Sequence, residues 1–162
     1  MKNSNGELTR LSELIGLIYE GATDPSRWTK DILPAVADYI QAPECFLYTP
    51  AHVPQNGGYM FYHGITQDQV DLYFNKHQSE DIWVAAAIEK KMVYEGNVIL
   101  GEELVPRERW LASKTYNECF YRDENMAQML TSIVFGMDTT HSMPAVCSFF
   151  RGLHHADFCE KD

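Results

Sequence analysis

Residues 129–151 read MLTSIVFGMDTTHSMPAVCSFFR, and this stretch decides the fold class. Its first part, from Met129 to Phe135, consists mainly of apolar and β-branched residues and predicts a largely buried strand. The polar residues 138–142 predict a turn, and residues Ala145 to Arg151 predict a second apolar strand. The stretch therefore indicates an antiparallel pair of strands at the end of the chain.

The beginning of the chain is predicted to be helical. Apolar residues between Leu8 and Ile18 recur at helical spacing and form one narrow stripe. A second helix is predicted to start at Asp24-Pro25, because Asp caps free N–H groups and Pro suits the first turn. Pro34 lies inside this second stretch and cannot donate a helical hydrogen bond, so we expect a kink or a break near Leu33.

The middle of the chain mixes short strands and helices. Glu44 to Tyr48 and Gly58 to His63 are aromatic runs around a Pro- and Gly-containing loop, which predicts a hairpin. Thr66 and Gln69 have the spacing of a capping box at the start of a helix. Further elements are predicted as a helix over 81–90, a strand at Val93–Tyr94 and short helices over 107–111 and 114–120. This order predicts an α+β domain with a central antiparallel sheet flanked by helices.

The composition indicates one acidic domain. The chain has 162 residues, enough for a single domain over residues 1–162 with a core of its own. Its formal net charge is −10 at pH 7, whereas a nucleic-acid backbone is bound through clustered Lys and Arg. No apolar run approaches the roughly 20 residues that a membrane span requires. We therefore expect no direct nucleic-acid partner and no membrane partner.

Neither the N-terminus nor the cysteines indicate export. The polar stretch from Met1 to Thr9 lacks the apolar region of a signal peptide. Four cysteines are far apart in the sequence and form no C-x-x-C pair: Cys45, Cys119, Cys147 and Cys159. We expect free thiols and a cytoplasmic location.

The chain lacks the common signatures of catalysis and of metal binding. It has no G-x-S-x-G nucleophile motif, no phosphate-binding loop and no G-x-G-x-x-G turn. His154, His155 and Cys159 are close in sequence, but zinc would require four ligands. We expect no catalytic residue, no metal and no cofactor, and an enzyme of unknown type is the least favoured alternative.

Aromatic residues in the middle of the chain are candidate walls of a ligand pocket. Tyr and Trp combine a large apolar body with one hydrogen-bonding atom, as small-molecule sites often require. The candidate ligand-binding residues are Tyr59, Phe61, Tyr73, Phe74 and Trp83, with Asp81 as a hydrogen-bond acceptor. The alternative is that the aromatic residues form a solid core and that Asp81 only caps its helix.

Several short motifs are spread over almost the whole chain. They are Leu11–Glu20, Asp24–Trp28, Asp81–Trp83, Gly101–Pro106, Ser113–Glu118, Phe149–Arg151 and Asp157–Asp162. These motifs resemble the N-terminal sensory region of bacterial LuxR-type helix-turn-helix transcriptional regulators. The resemblance implies a GAF- or PAS-like fold, a role in signal sensing and dimerisation, and DNA binding through a C-terminal module that this chain lacks.

Tyr73 and Asp81 also resemble the Tyr and Asp that hold the ligand in acyl-homoserine-lactone-binding domains. Those domains carry Trp where this chain has Gln69 and Pro where it has Ile82. Because the missing Trp removes the expected lactone contact, we expect a different effector.

The leading hypothesis is a non-catalytic sensor domain that binds a small apolar or amphipathic effector and forms a homodimer. The alternative is a packed dimerisation or protein-interaction module without a ligand. In that case the helix from Leu8 to Ile18 would present an exposed apolar face to its partner.

Overall fold

The computed structural model describes residues 4–49, 58–121, 126–135 and 144–159, and its centre is one antiparallel sheet. The strands are β1 (Glu44–Tyr48), β2 (Met60–His63), β3 (Val98–Leu100), β4 (Gln128–Phe135) and β5 (Ala145–Arg151). Their order in the sheet is β2-β1-β5-β4-β3. The two strands predicted from residues 129–151 are thus confirmed as β4 and β5, and β5 is the central strand.

Helices flank this sheet. They are α1 (Ser4–Gly21), α2 (Leu33–Tyr39), α3 (Gln67–Leu72), α4 (Ile82–Glu89), α5 (Gly101–Leu104) and α6 (Arg107–Leu111). Three π-helical turns adjoin them: Trp28–Ile32, Tyr73–His77 and Tyr116–Phe120. The predicted α+β class with a central antiparallel sheet is therefore confirmed, and the arrangement is consistent with a GAF- or PAS-like fold.

Local hydrogen bonds explain where several helices begin. The backbone N–H of Gln69 donates to the Thr66 hydroxyl at 3.3 Å, and the Gln69 side chain accepts from the Thr66 N–H at 3.0 Å, which confirms the predicted capping box. Pro34 lies in the first turn of α2, directly after the π-helical turn Trp28–Ile32. At Leu33, where we expected a kink or a break, the chain changes from a π-helical turn to α2, and Ile32 and Leu33 keep right-handed helical backbone angles, so the helix is not interrupted.

The third strand lies five residues later than predicted. Val93 and Tyr94 belong to a loop, and β3 begins at Val98. Gly96 turns the chain with φ of 78°, and its N–H donates to the Ile133 carbonyl at 2.9 Å. After this turn the chain pairs with β4 through Val98–Leu100. The prediction of a strand at Val93–Tyr94 is therefore wrong. The predicted turn over 138–142 and loop residues 50–57 lie outside the described residues.

Strand alternation divides the buried side chains into two groups, one on each face of the sheet. On one face, Phe46 and Phe150 pack with residues of α3 and α4, and we call it the cavity face. On the other face, Cys45 and Phe149 pack with Leu33 of α2, and we call it the α2 face. Consecutive residues of one strand therefore belong to different halves of the core.

Candidate ligand-binding cavity

A cavity of about 360 Å³ lies between the cavity face of the sheet and the helices that cover it. Its strand residues include Phe46, Tyr48, Ile99, Met129, Ile133 and Phe150. Its helical residues include Tyr73, Trp83, Ala87, Leu104 and Phe120. Ligand sites typically have volumes of about 300–1,000 Å³ and walls that are mostly apolar with a few polar groups. The cavity has the size and the character of such a site.

A hydrogen-bonded network of three side chains forms the polar part of the wall. The Tyr73 hydroxyl donates to Oδ2 of Asp81 at 2.8 Å, and the Tyr48 hydroxyl interacts with that of Tyr73. Oδ1 of Asp81 accepts the backbone N–H of Trp83 at 2.8 Å. Asp81 is therefore both the cap of α4 and a wall residue of the cavity, so the predicted capping role is confirmed.

Burial changes the protonation behaviour of this network. Loss of solvent raises the pKa of the Asp81 carboxyl, while the hydrogen bonds from Tyr73 and from the backbone of Trp83 and Val84 act in the opposite direction. Burial also raises the pKa of Tyr73 well above its ordinary value and raises that of Tyr48. Both tyrosines are therefore neutral hydroxyls at physiological pH and can donate or accept a hydrogen bond.

A second polar spot lies on the floor of the cavity. Thr131 of β4 and Ser148 of β5 are direct partners across the two strands, and their hydroxyl oxygens are 2.9 Å apart. Both residues are buried and line the cavity. A ligand in the cavity would thus meet polar groups at its helical wall and at its floor.

The structure brings three of the predicted site residues together. Tyr73, Asp81 and Trp83 line the cavity. Phe74 does not line it, because its ring packs behind the wall. The centroid of the Phe74 ring is 5.3 Å from that of Tyr48 and 5.0 Å from that of Tyr73. Phe74 therefore supports two wall residues instead of contacting the cavity.

Tyr59 and Phe61 lie on the α2 face, so we correct their assignment to the site. The ring of Phe61 stacks on Trp28 at 6.1 Å and on Tyr59 at 5.7 Å. Successive side chains of a strand point to opposite faces, and it is Met60 and Tyr62 that pack against the cavity-side core. The aromatic pattern of β2 does not reveal which of its two faces is turned toward the helices.

Sequence reasoning missed the residues of the sheet floor. Phe46 and Tyr48 are aromatic residues at positions i and i+2 of a predicted strand, and both line the cavity. Val146, Ser148 and Phe150 repeat this spacing on β5. Because residues at positions i and i+2 of a strand lie on the same face, this spacing in both strands is a signal that could have grouped these residues on one face of the sheet.

A hollow of about 550 Å³ on the α2 face is a weaker candidate. It lies between α2 and strands β3 and β4, with Val36, Ile40 and Leu130 in its wall. None of the predicted site residues is among its wall residues. We therefore take the cavity between sheet and helices as the candidate site.

The described residues contain neither a metal-binding cluster nor a membrane-spanning helix. Among the described residues, no group of three or more His, Cys, Asp or Glu side chains is placed to hold a metal ion. No helix within the described ranges combines the length and the apolar character needed to cross a membrane. A comparison with models of known protein families and a comparison with curated proteins both find no match to this chain.

Proposed function

We propose that this chain is a non-catalytic, signal-sensing regulatory domain of the LuxR type that binds a small apolar or amphipathic effector. The observation that carries the proposal is the cavity of about 360 Å³ with its network of Tyr48, Tyr73 and Asp81. Protein interiors are close-packed, and voids larger than a water molecule are few. A cavity of this volume between a sheet and its helices therefore favours a ligand-binding role.

The charge of the wall restricts the effector. Among the described lining residues Asp81 is the one acidic side chain, and none is Lys, Arg or His. A ligand with a carboxylate or phosphate would lose its hydration without gaining a positive partner, which is unfavourable. The proposed effector is therefore uncharged or positively charged, with an N–H or O–H group that can donate to Asp81.

Sensing would follow from differential binding to two conformations. An effector in the cavity contacts the sheet through Phe46 and Phe150 and the helical cover through Tyr73 and Trp83 at the same time. It would favour the conformation in which cover and sheet lie close together, and so shift the population toward it. In the proposed protein this shift acts in the cytoplasm on a homodimer and on a C-terminal DNA-binding module.

Native mass spectrometry of the freshly purified full chain tests the proposal directly. The expected result is an excess mass of one small molecule per protomer that is absent after denaturation. A titration with Nile red, an uncharged dye that fluoresces in apolar surroundings, is the second readout, with saturation at one dye per chain. Absence of both an excess mass and saturable dye binding would contradict the proposal.

A second candidate function, a dimerisation module without a ligand, is favoured by the surface of α1. Leu8, Leu11, Ile15 and Ile18 form an apolar stripe on this helix and are 39–64% exposed. Exposed apolar surface of this kind marks protein contacts. An Ile15→Glu variant should then reduce the molar mass measured by light scattering from dimer to monomer. An unchanged mass in the variant, or saturable Nile red binding by the wild type, would count against this candidate.

A further inference from the structure

A smaller cavity of about 40 Å³ adjoins the proposed effector site. It shares Trp83 and Met129 with the larger cavity. Its other wall residues come from α5, α6, the start of β4 and the segment after β5, and they include Gly101, Arg107 and Gln128. The sensing role proposed above does not use this small cavity.

Three wall residues of the small cavity carry a buried polar atom without a hydrogen-bond partner among the described residues. The atoms are Nε1 of Trp83, Nε of Arg107 and Oε1 of Gln128. The side chains of Trp83 and Gln128 belong to residues that are only 4% and 5% exposed. Native structures leave few buried polar atoms unpaired, and bound water commonly supplies the partner. Three such atoms around one cavity therefore indicate a ligand that can both accept and donate hydrogen bonds.

The indole of Trp110 provides an internal comparison. It stacks on Trp83 with ring centroids 3.4 Å apart and an angle of 17° between the planes. Its own Nε1–H donates to the Met126 carbonyl at 3.0 Å. A Cβ placed on Gly101 would be 3.1 Å from Nε1, Cε2 and Cζ2 of Trp83 alike, so this part of that indole packs against Gly101, which also lines the small cavity. Of the two stacked indoles, one N–H has a protein acceptor and the other has none among the described residues.

The charges around the small cavity favour a neutral ligand over an ion. The guanidinium of Arg107 already contacts Glu102 and Asp157, the latter at 2.8 Å. An anion would have to compete with these two carboxylates, and a cation would meet the donor groups of Trp83 and Arg107. A neutral molecule with one oxygen satisfies the two donors and the one acceptor without a change in net charge.

We propose that the small cavity is a binding site for ordered water. A water oxygen there accepts from Nε1–H of Trp83 and Nε–H of Arg107, and water donates to Oε1 of Gln128. A single water needs about 10–15 Å³ of cavity volume, so the cavity of about 40 Å³ holds one to about three molecules. The water connects α4, α6 and β4 through these three side chains.

This water has a positioning role in the sensor, a consequence that depends on the function proposed above. Trp83 is a wall residue of both cavities, so a hydrogen bond to its indole from the small cavity restrains its ring in the larger one. Gln128 lines only the small cavity and therefore acts on the effector site through Trp83.

Nuclear magnetic resonance on the nitrogen-15-labelled full chain tests the water site. The chain has three tryptophans and therefore three indole N–H signals, which Trp28→Phe and Trp110→Phe variants assign by elimination. The expected result is a cross-peak between long-lived water and the indole proton of Trp83. The indole proton of Trp110, which donates to a carbonyl, should have none. Absence of the cross-peak at Trp83 would overturn the proposal.

A Gln128→Met variant, similar in size, removes the acceptor from the small cavity. We expect it to remove or strongly weaken the water cross-peak at Trp83, and an unchanged cross-peak would overturn the assigned role of Gln128. Both measurements are made without an effector. Absence of both an excess mass and saturable Nile red binding would therefore contradict the sensing function, while the cross-peak alone decides on the water site.

Discussion

The two faces of the sheet differ in packing: one is packed against α2, and the other lines a cavity. On the α2 face, Cys45 and Leu47 of β1 pack in one cluster with Leu33 and Ala37 of α2. On the cavity face, Phe46 and Tyr48 of β1 line the cavity of about 360 Å³ that separates the sheet from the covering helices. Both faces bury aromatic and aliphatic side chains, so burial does not distinguish them. The side of the strand on which a residue lies decides whether it contributes to packing or to a binding wall.

The polar groups show the same difference. The cavity face carries the network of Tyr48, Tyr73 and Asp81 and the hydroxyl pair of Thr131 and Ser148. The α2 face carries the thiol of Cys45, whose pKa burial raises to about 12. Neutral thiols suit a packed core, whereas buried hydroxyl and carboxyl groups can orient a ligand. Substitutions on the two faces should therefore have different effects on stability and on ligand binding.

Asp81→Ala should have the largest effect, because it removes both the cap of α4 and the acceptor of the Tyr73 hydroxyl. Loss of a cap costs about 1 kcal/mol and an unpaired buried hydroxyl about 1–3 kcal/mol, so the free energy of unfolding should fall by about 2–4 kcal/mol. Urea unfolding followed by circular dichroism measures this change. Asp81→Asn is the comparison variant, because its one amide oxygen can still cap α4 while its NH2 group replaces the oxygen that accepts from the Tyr73 hydroxyl. Destabilisation with unchanged Nile red affinity would show that Asp81 is only a cap.

A pair of matched enlargements should separate the two faces. Val146→Phe adds volume on the cavity face and should weaken Nile red binding at least about tenfold, or about 1.4 kcal/mol. Leu47→Phe makes a similar addition on the packed α2 face and should lower the unfolding free energy by about 1–3 kcal/mol without changing dye affinity. Equal effects of the two variants on dye binding would remove the distinction between the faces.

Phe61→Ala tests the corrected assignment of β2. The ring of Phe61 is partly buried and stacks with Trp28 and Tyr59, so its loss should lower the unfolding free energy by about 1–2 kcal/mol. The affinity for Nile red should stay within about twofold of the wild type, or about 0.4 kcal/mol. A larger loss of dye binding would return Phe61 to the candidate site.

The smallest expected effect is a dependence of stability on pH through Asp81. Burial raises the pKa of Asp81 in the folded state above the ordinary value of 3.8, which applies to the unfolded chain. At a pH between the unfolded-state pKa and the folded-state pKa, the folded chain holds a proton that the unfolded chain has released. Stability from this group is therefore highest at low pH and decreases as pH rises through the folded-state pKa. The difference in unfolding free energy between wild type and Asp81→Asn should decrease from about pH 4 upward. A difference that increases with pH would contradict the raised pKa.

Local signals in the sequence were sufficient for much of the fold. Thr66 and Gln69 cap α3 through contacts within four residues, and Asp81 caps α4 in the same way. The apolar runs at Glu44–Tyr48 and Ala145–Arg151 are strands with those bounds. The prediction failed at Val93–Tyr94, where the pairing of β3 with β4 and a turn at Gly96 place the strand later.

The cavity required information that no short stretch of the chain contains. Tyr73 and Asp81 are eight residues apart, and a π-helical turn at Tyr73–His77 followed by a 3-10 turn at Gln78–Glu80 brings the Tyr73 hydroxyl to 2.8 Å from Oδ2 of Asp81. Sequence reasoning could find both residues because this contact is local in the chain. The sides taken by Tyr59 and Phe61 depend on the pairing of β2 with β1 and on which helices cover each face. Helix caps and strand propensities depend on neighbours in the chain. Which face of the sheet a strand residue lies on depends on contacts between distant segments. In this protein those contacts separate the residues of the cavity from those of the packed core.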